Sequence, residues 1–157
     1  MSPPGLTSFN DLHRDRAVAA LLSCCAAPGW AERVADARPF DSVAALESTA
    51  AAALTPDDLD PALSGHPRIG DRTAPGRAAT EQAGVGDDVR AELAEANRAY
   101  EARFGHVYLV CAAGRSGDDL LATVLRRMHN DRATERRVAL QELAAINRLR
   151  LRELVSR

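Results

Sequence analysis

Apolar residues return at helical spacing along almost the whole chain, and no alternation of period two lasts long enough to build a sheet. Stripes of that kind are buried by packing helix against helix, so the chain is expected to be all-α, a multi-helix bundle. Alanine, about a fifth of the residues, favours the same state. With 157 residues the chain can bury a core, and one domain over 1–157 is expected. A first helix is predicted from Ser8 or Asn10, a plausible cap, through Val18, Leu21 and Leu22 to the Pro28-Gly29 breaker, and a second from Trp30 to just before Pro39. Asp41-Ser42 caps a third through Val43, Leu46 and Leu54, and Thr55-Pro56-Asp57-Asp58 reads as the cap and first turn of a short fourth.

Residues 71–77 read as a loop and 80–84 as a short helical stretch, after which Asp87-Asp88 caps a helix bearing Leu93, Ala96, Tyr100 and Phe104 and ending at Gly105. His106 to Ala113 has strand character and is expected to be a buried extended connection. A helix with Leu121, Leu125 and Met128 follows, then a long one from about Thr134 to Leu154.

All twenty basic residues are arginine. With no lysine, Schiff-base chemistry and lysine-anchored pyridoxal phosphate are excluded, so catalysis falls to imidazole, carboxylates and arginine. The net charge is −2, yet residues 121–157 carry nine arginines against four acids. Such an excess marks a solvated helix face or an anion surface. Met1-Ser2-Pro3-Pro4-Gly5 opens no basic-then-apolar leader, and Ala17 to Ala27 is too short an apolar stretch to span a bilayer, so no membrane association and a cytoplasmic location are expected. Cys24 and Cys25 are adjacent and Cys111 stands alone; without CxxC or Cys/His spacing, reduced thiols and no metal site are expected.

Two residues stand out chemically. His66, between Gly65 and Pro67, is held extended by the following proline at a segment boundary, which pins and presents its imidazole. In the last helix Ala139, Leu143, Ile146, Arg150 and Leu154 share one stripe, so Arg150 points toward the core and must snorkel, pair with a carboxylate or bind an anion. Asn147 lies near the same face, whereas Arg148 and Arg152 are expected to be solvated. Glu81 is a further carboxylate able to partner an imidazole or to serve only a helix start, while His13, His106 and His129 read as structural or solvated.

The succession Trp30, Arg38-Pro39-Phe40, Gly65-His66-Pro67-Arg68-Ile69-Gly70, Glu81-Gln82-Ala83-Gly84, Asn97-x-x-Tyr100-x-x-Arg103-Phe104-Gly105 and Ile146-x-x-x-Arg150-Leu151 resembles the OHCU decarboxylase family, where OHCU is 2-oxo-4-hydroxy-4-carboxy-5-ureidoimidazoline. The resemblance implies the family's helical bundle, often dimeric, acting without a cofactor on a small molecule: OHCU loses CO₂ and becomes (S)-allantoin in the last step of urate breakdown. It implies that His66 is catalytic, either taking the proton of the substrate hydroxyl or delivering one to the ring carbon. Glu81 corresponds to the family's glutamate, orienting the imidazole or accepting ureido N–H bonds, and Gln82 would meet the ureido or ring amides. Arg150 corresponds to the family's arginine, whose fork suits a carboxylate or ring carbonyl and whose task is positioning.

Pro67 would pack on the ring. Further substrate contacts are implied for the segment Ala78, Ala79, Thr80, Glu81 and Gln82, and for main-chain groups of Leu109, Val110, Cys111, Ala112 and Ala113. Ala78 stands where the family commonly has serine, so one hydroxyl is missing. Two other readings compete. A related enzyme could act on another ureido or carboxylated imidazoline. A helical nucleic-acid-binding module would use the arginine-rich end, but the negative net charge, scattered arginines and few aromatics argue against a nucleic-acid partner.

Overall fold

The computed structural model describes residues 4–66 and 87–156, and among these there are eight α-helices and no strand, an all-α fold. The loop and short helix expected at 71–77 and 80–84 lie outside the described residues. The helices are α1 (Pro4–Asp11), α2 (Arg14–Cys24), α3 (Pro28–Asp36), α4 (Val43–Ala53), α5 (Leu59–Ser64), α6 (Asp87–Phe104), α7 (Gly117–Arg127) and α8 (Arg132–Leu154), with a 3₁₀ turn at Pro56–Asp58. They make up two compact units, one from the chain up to Gly65 together with the chain from Leu143 onward, the other His66–Glu142, so α8 supplies residues to both.

In the first unit the expected opening helix is two helices. Asn10, read as a cap, sits near the end of α1, where its amide donates to the Phe40 carbonyl and accepts from the Phe40 N–H, both at 2.9 Å. Arg38 Nη1 donates to the carbonyls of Phe9 (2.9 Å) and Leu12 (2.7 Å) at the end of α1, where the Phe9 carbonyl also accepts from the Leu12 N–H at 3.3 Å. The Arg38-Pro39-Phe40 motif thus fastens the α1 terminus. Pro28 begins α3 at its first turn, and Trp30, fully buried, donates its indole N–H to the Ala50 carbonyl of α4 at 2.9 Å. Ser42 caps α4 as expected, accepting from the Ala45 N–H at 3.0 Å. Thr55 and Asp58 form a capping box, and Asp58 also pairs with Arg33 at 2.7 Å.

Arg148 and Arg152 are not simply solvated: both pair with Glu47 of α4, and together, against burial, they hold its carboxyl below its ordinary pKa. The buried face of this end of α8 runs through Leu143, Ile146, Asn147 and Leu151, with Val155 buried just beyond it, while Arg150 and Leu154 are half-buried beside it.

The second unit packs α6 against α7 around Leu93, Tyr100, Phe104, Tyr108, Val110, Leu120 and Val124. Gly105 ends α6 at φ 80°, a conformation glycine adopts without strain, and its N–H donates to the Glu101 carbonyl at 2.8 Å. Among the described residues the stretch 106–113 pairs with no strand, and the next helix presents to the core Leu120, Thr123, Val124 and Arg127 rather than Leu125, which is 53% exposed. Asp131 caps α8, accepting from the Thr134 N–H at 2.7 Å.

Candidate active site

Arg150 and the chain leading into His66 meet the same short segment of the first unit. Helix α2 stops at Cys24 because Cys25 turns to extended backbone (φ −150°, ψ 120°). The last carbonyls of a helix carry partial negative charge, and Arg150 Nη1 donates to that of Cys24 at 2.8 Å. One arm of the guanidinium is thereby fixed, which orients the fork. Next to it Cys25 is buried and its thiol is pushed up to about 11 by burial, against the opposing pull of the Asn147 amide and the Arg150 charge. Asn147 is buried one helical turn before Arg150, with its amide facing the Cys25 thiol.

One residue further, Ala26 approaches Gly65 so closely that a Cβ on Gly65 would lie 2.9 Å from the Ala26 Cβ. That contact needs glycine, and it sets where the chain leaves α5 to present the half-buried His66. Gly65→Ala is therefore expected to displace the His66 backbone and lower turnover on the order of 10- to 100-fold. Steady-state assay and a thermal melt check this; wild-type turnover in a folded Gly65→Ala protein contradicts it.

The stretch 106–113 is tied down at several points within the second unit. Tyr108, Leu109, Val110 and Ala112 are buried, Cys111 is half-buried and Ala113 exposed. The Leu109 carbonyl accepts from Arg127 Nη1 at 2.7 Å, and the Cys111 N–H donates to Glu142 Oε1 at 3.3 Å. The Ala112 carbonyl accepts from the Arg115 N–H at 3.1 Å, and Tyr108 Oη donates to the Leu120 carbonyl at 3.1 Å. Arg127 itself is buried on the Tyr108 ring, 5.0 Å from its centroid, and donates through Nε to Glu135 at 2.7 Å. Glu135, fully buried, also accepts from Tyr100 Oη and from Asn130 Nδ2 at 3.1 Å. Burial and then Glu135 raise the Tyr100 pKa above its ordinary value; burial opposes the Arg127 charge, but Glu135 outweighs it and holds Arg127 protonated.

The first unit therefore carries Arg150 with Asn147 beside it, the second the anchored stretch 109–113, and His66 begins where one gives way to the other in sequence. Pro67, Ala78, Ala79, Thr80, Glu81 and Gln82 lie outside the described residues. Among the described residues no cluster of histidine, cysteine or carboxylate side chains could hold a metal ion. Glu142, Arg127 and Glu135 escaped the sequence reading. Two of them had a legible signal: Glu135 extends the Ala139–Leu143 stripe one turn back, and Arg127 follows Leu120 and Val124 on the same face.

The family model for OHCU decarboxylase matches residues 10–152. The 2-oxo-4-hydroxy-4-carboxy-5-ureidoimidazoline decarboxylase of Haloferax volcanii is 32% identical over 138 residues, 82% of this chain and 82% of its own length. The uric acid degradation bifunctional protein TTL of Arabidopsis thaliana is 28% identical over 147 residues; the match takes in 85% of this chain and 45% of that relative, so the chain spans less than half its length. Among solved structures, an OHCU decarboxylase crystallised in the presence of (S)-allantoin has a TM-score of 0.78 at 28% identity, covering 87% of this chain and 96% of that one.

Proposed function

From the chain's membership of the OHCU decarboxylase family we infer that it converts OHCU to (S)-allantoin and CO₂ in urate breakdown, acting as a carboxy-lyase without a cofactor. The observation that carries this reading is the family match over 10–152, a range that takes in parts of both compact units and includes His66 and Arg150. On the same ground the two units act as one family domain, and the enzyme works as a homodimer in the cytoplasm. No helix among the described residues is long and apolar enough to cross a membrane.

The chemistry suits the residues. The substrate carbon that bears the carboxylate also bears a hydroxyl and adjoins an imine carbon. When the bond to CO₂ breaks, its electron pair forms a double bond to that neighbour and the imine π pair moves onto nitrogen, which takes up a proton. The resulting enol then gives up its hydroxyl proton, and the former imine carbon gains one, on one face. The substrate thus supplies its own electron sink. What remains for the protein is proton movement and orientation. His66 takes the first role, since one imidazole beside both atoms can accept the hydroxyl proton and deliver the carbon's, which sets the S configuration. Arg150, oriented by its bond to the Cys24 carbonyl, carries a planar guanidinium whose fork suits a carboxylate or ring carbonyl. Pro67 packs on the ring, Glu81 and Gln82 serve the imidazole and ureido groups with Ala78, Ala79 and Thr80 beside them, and main-chain groups of 109–113 complete the contacts.

OHCU made in situ from urate with urate oxidase and hydroxyisourate hydrolase tests the reading by circular dichroism. Fast growth of the (S)-allantoin signal is expected; racemic product at the uncatalysed rate would refute it. In the same assay Arg150→Ala is expected to raise KM on the order of tenfold. Arg148→Ala should leave KM unchanged, because Arg152 still holds Glu47. Equal effects of the two would contradict the role given to Arg150.

A further inference from the structure

Glu142 and Arg127 reach the stretch 109–113 from two different helices, α8 and α7, and each takes one peptide group of it. Glu142 accepts the Cys111 N–H, and Arg115 lies 3.8 Å from the same carboxylate and steadies it. Arg127 donates to the Leu109 carbonyl with a guanidinium that Glu135 and the Tyr108 ring hold in place. On the far side of Cys111 the Ala112 carbonyl is tied to the Arg115 N–H. Val110 lies between these anchors. It is 2% exposed, yet among the described residues neither its N–H nor its carbonyl has a hydrogen-bond partner. The Val110 N–H shares its peptide with the Leu109 carbonyl that Arg127 holds, and the Val110 carbonyl shares its peptide with the Cys111 N–H that Glu142 holds, so both are fixed in direction. Buried peptide groups are almost always paired, which makes these a donor and an acceptor available to a partner beyond the described residues.

We propose that Glu142 and Arg127 are positioning residues for the decarboxylation: they pin the Cys111 N–H and the Leu109 carbonyl so that the Val110 peptide is presented, already oriented, to the amide edge of the substrate. The inference rests on the decarboxylase reading above. Neither side chain touches the substrate. Each acts by removing one way for the segment to turn, so that the bound substrate meets a fixed pair of groups and does not have to order them. Glu142 is the more telling of the two, because its side chain is 26% exposed and its removal takes no charge out of the core.

Three variants of the full chain test this: Glu142→Leu, Glu142→Gln and Arg127→Lys. Two measurements are made on each, steady-state kinetics with OHCU followed by circular dichroism, and hydrogen exchange of the peptide spanning 108–112. Glu142→Leu is expected to speed exchange there and to raise KM about tenfold while kcat stays within about twofold, since a lost orienting contact weakens binding of ground and transition states alike. Glu142→Gln, whose amide oxygen still accepts from the Cys111 N–H, should restore both. Arg127→Lys keeps the charge opposite Glu135 but loses the fork, and should resemble Glu142→Leu with a lower melting temperature. Faster exchange with an unchanged KM in Glu142→Leu would overturn the proposal by making the anchor purely structural. Unchanged exchange would overturn it by showing no anchor. A wild-type chain inactive on OHCU would strike at the decarboxylase reading instead, while the exchange data would still show whether the segment is pinned.

Discussion

His66→Ala is expected to bring OHCU decarboxylation down by about 10²- to 10⁴-fold in kcat, the usual worth of a placed general acid–base group, and to leave racemic allantoin as the product. Folding should be almost untouched. His66 is half-buried just beyond the end of α5 and is not among the core side chains, so its truncation removes little packed surface. The melting temperature should stay within about 2 °C of wild type, as for most changes outside the core. Gly65→Ala offers the contrast, since it keeps the imidazole but moves its support. If His66→Ala retains near-wild-type turnover, proton transfer must be assigned elsewhere; if it unfolds, the residue is structural.

The largest expected loss of stability comes from Glu135→Ala. The carboxylate is fully buried and is shared by Arg127 at 2.7 Å, Asn130 at 3.1 Å and the Tyr100 hydroxyl. Removing it leaves the Arg127 charge in the core without its counter-charge, which costs about 3–5 kcal/mol. At roughly 2–4 °C per kcal/mol for a chain of this size, the midpoint should fall by roughly 6–20 °C. Replacing both partners, as in Arg127→Met with Glu135→Leu, should recover much of the loss, because no charge is then stranded. Urea titrations of the single and double variants decide the matter: a loss below about 1 kcal/mol in Glu135→Ala would mean that water reaches Arg127 and the pair is not truly buried.

Helix limits set by local rules were legible from the sequence, as at Ser42, at the Thr55–Asp58 box and at Gly105. Each works through atoms a few residues apart. The break between α1 and α2 was not legible, because it goes with partners far along the chain, Asn10 on Phe40 and Arg38 on Phe9 and Leu12. The stretch 106–113 is the buried extended connection expected of it, but the side chains of α7 and α8 that hold it were not legible, for the same reason. His66 and Arg150 could be singled out because a proline neighbour and a charge on an apolar stripe are visible locally. The Cys24 carbonyl that fixes Arg150 is 126 residues away, and no pattern announces it. Glu142 looked like any half-exposed helix carboxylate, and only its reach to the Cys111 N–H distinguishes it.

Helix α8 is one continuous run of 23 residues, with Glu135 and Ala139 in the second unit and Leu143, Asn147 and Leu151 in the first. Helical hydrogen bonds link each residue to the fourth one on, so the turn around residues 139–143 belongs to both sets at once. Neither unit can keep its complete interior while that turn is open. A change that loosens the Arg127–Glu135 pair is therefore expected to ease opening of that shared turn, and hydrogen exchange along α8 reads how far toward Arg150 the opening spreads.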